Sequence, residues 1–85
     1  MKRYLFPAVF VEDETGVGVV FPDLPGCVTQ NDDYEHAFED AREALNLHLS
    51  CMIEDGEEIP TPSKIKTVIA KLGEGEALTI IETQI

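Results

Sequence analysis

The run Arg3 to Glu12 most constrains what this chain can fold into. It reads as a strand with Tyr4, Phe6, Ala8 and Phe10 on one side and Leu5, Pro7, Val9 and Val11 on the other. Side chains alternate across a strand, so apolar residues on both sides call for cover on both faces of the sheet. With 85 residues the chain has room for one packed core. The expected cover is a helix on one face and a partner on the other. Pro7 has no N–H to give a neighbouring strand, so one backbone edge is expected to be unpaired there.

The segments that follow supply the rest of a small sheet. Glu12-Asp13-Glu14-Thr15-Gly16 reads as a hairpin loop, with Gly16 available for positive φ. Val17 to Phe21 is the second strand, antiparallel to the first, and about Val28 to Gln30 is a short third. Between them lies Phe21-Pro22-Asp23-Leu24-Pro25-Gly26-Cys27, whose two prolines and glycine fix the path of the loop. This loop suits presentation of Phe21, Leu24 and the Asp23 carboxylate to a partner. The competing reading is a tight connection whose Leu24 and Cys27 plug the core.

A helix is expected from about Tyr34 to Glu54, capped by Asp33 or by Asp32, which has a capping-box spacing to Glu35, and stopped at Gly56. Its inward stripe is Tyr34, Ala37, Phe38, Ala41, Leu45, His48, Leu49 and Met52. Glu35, Glu39, Glu43, Asn46 and Ser50 form the opposite face. Leu47 lies with Asp40, Ala44 and Cys51 on a less polar flank and is a candidate contact residue. Pro60 and Pro62 mark an extended linker. Ser63 is placed to cap a short helix through Leu72, with Ile65, Val68, Ile69 and Leu72 inward. Gly73 to Glu76 is a turn and Ala77 to Ile85 a last strand, expected parallel to an earlier one through a right-handed crossover. The fold class is α+β, in the order βββα(α)β, a mainly antiparallel sheet with one long helix on one face. A sheet edge holding Pro7, or an uncovered face, favours a homo-oligomer.

Charge narrows the function. Seventeen acidic residues against six basic ones give a net charge of −11. Affinity for phosphate backbones comes from Lys and Arg, so direct nucleic-acid binding by this chain is not expected. The same charge steers a basic protein toward it. No apolar run approaches the roughly 20 residues of a membrane span. Lys2 and Arg3 precede an apolar run broken by Pro7 and followed by Glu12-Asp13-Glu14, which is no secretory signal. The chain reads as cytoplasmic, and two cysteines make no disulfide framework.

No constellation points to catalysis. His36 lies near the acidic face and His48 on the apolar stripe, and no Cys/His spacing suits zinc. His48 and Cys51 lie three apart on one helix, without an orienting carboxylate. Asp13, Asp23, Asp32 and Glu39 offer carboxylates for two magnesium ions, but acidic residues are so plentiful here that capping and solvation account for them. No cofactor, metal or catalytic residue is expected.

Several runs, taken together and in order, resemble the HicB antitoxin family. They are Pro7-Ala8-Val9-Phe10, Gly16-Val17-Gly18-Val19-Val20, Phe21 to Thr29, the helix with Glu35, Ala37, Ala41 and Ala44-Leu45, and Glu58-Ile59-Pro60-Thr61-Pro62-Ser63. The resemblance implies a partial RNase H-like fold and an antitoxin, not an enzyme. It implies a small basic HicA-type toxin as partner, an mRNA-cleaving ribonuclease whose RNA-binding and catalytic surface the antitoxin masks. Expected contacts are Phe21, Pro22, Asp23, Leu24, Pro25, Gly26, Cys27, Glu35, Glu39, Glu43 and Leu47. Many HicB proteins continue into a DNA-binding domain; this chain ends at Ile85, where that domain would begin, so residues 1–85 are expected to be one domain without operator binding. The alternatives are a stand-alone protein or ligand adaptor of the same fold and an RNase H-like hydrolase.

Overall fold

The computed structural model describes residues Met1–Ile85. Strands β1 (Arg3–Asp13), β2 (Gly16–Val20) and β3 (Val28–Asn31) lead into helix α1 (Tyr34–Glu54). A short helix, α2 (Ile65–Ile69), and strand β4 (Glu76–Gln84) complete the chain. The four strands form one antiparallel sheet in the order β3-β2-β1-β4. β1 is therefore an interior strand.

The first hairpin depends on Gly16. Its φ is +139°, and a Cβ there would lie 2.3 Å from the Asn31 carbonyl oxygen. Asp13 shapes the turn by accepting from the Thr15 N–H at 2.8 Å and from the Thr15 hydroxyl at 2.6 Å.

Pro7 tolerates its interior position because of the ladder's phase. Lys2 and Ile85 exchange backbone hydrogen bonds of 2.8 and 2.9 Å. In an antiparallel ladder such exchanging pairs alternate, so even-numbered β1 residues point their backbone groups at β4 and odd-numbered ones at β2. Pro7 thus faces the β2 side, beyond the last β2 pair, Val9 with Val20. Continuing that register would set Pro7 opposite Pro22. Neither has an N–H, so the ladder stops and β2 turns away into the loop. The unpaired edge expected at Pro7 is present, but as a local gap inside the sheet rather than at a sheet edge.

One face of the sheet carries the main core. Phe6, Ala8, Phe10, Val17, Val19 and Ile81 pack against Ala37, Ala41, Leu45 and Leu49 of α1. Intervals of four keep those α1 residues on one stripe. Tyr34, assigned inward by periodicity, is half-exposed at the helix start, with its ring 5.0 Å from Phe10. Asp33, one of the two expected caps, is the N-cap, accepting from the His36 N–H at 2.9 Å. Gly56, at φ +74°, follows the helix end.

The second face corrects several expectations. Cover over Val9 and Val11 comes from this chain: Val68 of α2 is buried, and Val68 and Leu72 share a cleft with Val9, Val11 and Val20. α2 is also shorter than expected, with Ile65 and Ile69 outward, and Ser63 does not cap it; Lys64 holds that position without a side-chain bond. The same path explains why β4 is antiparallel to β1 and not parallel. α1 returns the chain to the start of β1, where Ile53 and Gly56 lie near Lys2 to Phe6. The linker and α2 then carry it along the other face to the far end, where Glu76 pairs with Val11. Two lengthwise returns between β3 and β4 reverse the direction that a single crossover would give.

Candidate protein-interaction surface

The Phe21–Cys27 loop is built inward. Two consecutive turns close it, with Leu24 N–H donating to Phe21 O at 3.0 Å and Cys27 N–H to Leu24 O at 3.0 Å. Phe21 N–H to Cys27 O, at 3.1 Å, continues the β2–β3 ladder across its base. Gly26 takes φ +86°. Phe21, Leu24 and Cys27 are all buried in the core cluster. They plug the core and are not displayed on the surface, so of the expected loop contacts only Pro22, Pro25 and Gly26 are exposed. Burial pushes the Cys27 thiol up to about 11. At pH 8 a thiol reagent is expected to modify the exposed Cys51 and leave Cys27 intact until the chain is unfolded; rapid labelling of both in the native state would contradict this packing.

Asp23 is likewise engaged within the chain. Its Oδ2 accepts from the Ser63 N–H at 2.8 Å, and its Oδ1 accepts from the Ser63 hydroxyl. This carboxylate pins the proline-rich linker to the loop, which is why Ser63 is unavailable as a cap. Sequence spacing gave no sign of it, because the two residues lie 40 apart. Asp23→Ala is expected to lower stability by about 1–3 kcal/mol in urea unfolding, since it leaves part-buried donors without an acceptor. A loss below the error of that measurement would show the strap to be held by its prolines alone.

The exposed candidates lie on α1. Glu35, Glu39 and Glu43 recur at intervals of four and form one outward acidic row. None of them is ion-paired; the two salt bridges are Arg3 with Glu82 and His36 with Asp33, each at 2.8 Å. Leu47 is 67% exposed. Contacts below the helix orient its two flanks. The Cys27 Sγ lies 3.7 Å from Ala44 O, and Asn31 Nδ2 donates to Asp40 at 2.5 Å, so the Asp40–Ala44–Leu47–Cys51 flank borders β3 and the loop. On the other flank Asn46 Nδ2 donates to Thr83 Oγ1 at 2.8 Å and to Gln84 O at 3.1 Å, over β4. Glu39 and Glu43 share a surface with Asn46 and Thr83, so the acidic row lies toward the β4 flank, and Leu47 lies on the other flank with Asp40, Ala44 and Cys51.

The helix start carries a titrating pair. The hydrogen bond from Asp33 raises the His36 pKa above its ordinary value, with the Asp33 charge adding to it. Bonds from the His36 N–H and ring lower that of Asp33. The raised His36 pKa adds stability that is complete below its unfolded value and is lost as pH rises through its folded one. The lowered Asp33 pKa adds stability that is present above its unfolded value and is lost as pH falls through its folded one. NMR titration of Asp33→Asn is expected to show His36 moving down toward its ordinary value; an unmoved titration would show the pair to be broken in solution. The carboxylates weighed for metal chemistry do not converge, and no three His, Cys, Asp or Glu side chains form a group that could hold an ion. No helix is long and apolar enough to cross a membrane.

The site is thus an exposed acidic row on a long helix packed over a four-stranded antiparallel sheet. The model of the HicB-like antitoxin of bacterial toxin–antitoxin systems matches residues 6–83, and the chain belongs to that family. Among its relatives, antitoxin HicB 2 of Photorhabdus laumondii is 44% identical over 62 residues, 73% of this chain and 45% of that protein. The chain spans about half the length of the first curated relatives it matches. The N-terminal domain of Burkholderia pseudomallei antitoxin HicB superposes with a TM-score of 0.83 at 27% identity, covering 96% of this chain and all of that one. A chain of a HicA3–HicB3 toxin–antitoxin complex shares the fold, with a TM-score of 0.69 at 21% identity over 92% of this chain and 95% of that one.

Proposed function

We propose that this chain is an antitoxin that binds a small basic HicA-type toxin and neutralises it by covering its RNA-binding and catalytic surface, without catalysis of its own. The observation that carries the reading is the unpaired acidic row Glu35, Glu39 and Glu43 on a HicB-family fold with a net charge of −11. A toxin that cuts mRNA must hold phosphates with cationic side chains. Carboxylates fixed on a rigid helix compete for those cations and gain the orientation that solvated phosphates lack. Exposed Leu47, on the neighbouring flank of the helix, adds an apolar contact beside such pairs. The membership of the family supports the antitoxin role, and a related fold is found in a complex of HicA3 with HicB3.

The test is calorimetric titration of the purified chain with small basic HicA-type toxins. The complex is expected to weaken as salt rises. Reversing the row in Glu35→Lys, Glu39→Lys and Glu43→Lys together is expected to weaken binding by about 100-fold or more, about 2.7 kcal/mol. Unchanged affinity in that variant would remove the acidic row from the interface. Failure of the folded, unmodified chain to bind any such toxin would remove the antitoxin reading itself.

A further inference from the structure

We infer that Arg3 and Leu5 take up an extended, basic segment of the toxin as an added strand, in the cleft between β1 and the proline-rich linker. The owner of the segment rests on the proposed antitoxin reading; the mode of binding rests on this chain's own backbone. β1 pairs with β4 from Arg3 to Val11 but with β2 only from Val9 to Asp13. The ladder phase set by Lys2 and Ile85 turns odd-numbered β1 residues toward the β2 side. Arg3 and Leu5 therefore point their N–H and C=O groups into a lane that β2 has left. No backbone group of the chain bonds to them there. Pro7, without an N–H, closes the inner end of the lane.

The lane is roomy. Lys2 to Phe6 line an open cleft of about 830 Å³ whose other wall is Ile53 and Gly56 to Pro62. Side chains alternate between the faces of a strand, so five consecutive residues line one cleft only along its backbone edge. Phe6, whose side chain is buried in the core, reaches the cleft along that edge. Leu5, on the second sheet face, and Ile53, on the helix side, are both exposed beside it. The alternating side chains of an added strand would meet Leu5 on one side and Ile53 on the other. Strand addition of this kind draws affinity from backbone bonds and selectivity from such side-chain contacts.

Charge selects the occupant. Both cations of the cleft are already engaged. The Lys2 ammonium lies 5.3 Å from the centre of the Tyr4 ring, and the Arg3 Nε lies 2.8 Å from Glu82 Oε1. Glu57 and Glu58, on the opposite wall, are exposed and form no salt bridge. The free charge of the cleft is therefore negative, and it favours a segment carrying lysine or arginine. A second copy of this chain does not meet that requirement: it carries −11, and its own edge strand β4 has no lysine or arginine. Ile53 lies about 15 Å along α1 from Glu43, so one basic partner can engage the acidic row and the cleft together.

The first test uses the purified chain and a blocked pentapeptide of alternating lysine and valine. NMR titration is expected to shift the Arg3 and Leu5 amides and to slow their exchange with solvent. The same peptide methylated at its amide nitrogens keeps its charge but cannot pair, and is expected to bind there about tenfold or more weakly. Leu5→Pro removes the open N–H while sparing the ladder to β4, as Pro7 does, and is expected to weaken the peptide by a similar factor. The methylated peptide keeps the test open even where that variant folds poorly. Unmoved Leu5 exchange at millimolar peptide, or equal binding of both peptides, would overturn the inference. In the toxin complex the Arg3 and Leu5 amides are expected to be protected. A complex that leaves them exchanging freely would overturn the inference and leave the antitoxin reading standing. No complex at all, with the peptide still bound at Leu5, would remove the antitoxin reading and with it the toxin as owner of the segment. Protection of Leu5 in the chain alone, through self-association, would give the cleft to a second copy and likewise overturn it.

Discussion

Leu45→Ala is expected to lower the free energy of unfolding by about 2–5 kcal/mol, enough to leave much of the chain unfolded at room temperature if total stability lies near the low end of about 5–15 kcal/mol. Leu45 is fully buried on the α1 stripe, between Ala41 and Leu49, in the core cluster that also holds Phe6, Phe10 and Ile81. Truncation removes apolar contact and leaves a void that rigid β1 and α1 backbones close only in part. Urea unfolding followed by circular dichroism measures the loss. A change below about 1 kcal/mol would mean that the helix moves down to refill the site, and that packing at this layer is looser than the structure indicates.

Gly16→Ala is the second large effect. The φ of +139° alone disfavours any L side chain, and holding alanine there is expected to cost about 1–3 kcal/mol. The steric conflict adds to this. A Cβ would lie 2.3 Å from Asn31 O and 3.4 Å from the Asp32 Cα, so β3 must shift away from the hairpin. Asn31 sits two residues before the Asp33 cap and holds Asp40 of α1, so displacement there would also disturb the helix start. The expected result is a lower urea midpoint together with faster amide exchange at Val17 and Asn31, whose pairing joins β2 to β3. A variant as stable as the original chain, with those amides protected, would show that the turn has another conformation available.

Asp23 shows where local reading ends. Its loop was legible as rigid from Pro22, Pro25 and Gly26, but rigidity is compatible with display and with burial alike. What decided between them was non-local: Phe21, Leu24 and Cys27 face the α1 stripe, and Asp23 meets Ser63 across the fold. By contrast Glu35, Glu39 and Glu43 were legible as an exposed row, since helical periodicity places them opposite the apolar stripe whatever the helix packs on.

The strands, the hairpin at Gly16 and the long helix with its start at Asp32 or Asp33 were thus determined by the sequence itself, because each is announced by patterns among residues a few positions apart. The direction of β4, the cover over Val9 and Val11 and the engagement of Asp23 were decided only by the tertiary structure. All three depend on the path of residues 57–75 across the second sheet face. That path has two prolines and only one short helix in it, so no strong local pattern announces where it goes. The contacts that fix it, Asp23 with Ser63 and Val68 over the sheet, join residues far apart in the chain and exist only once the sheet has formed.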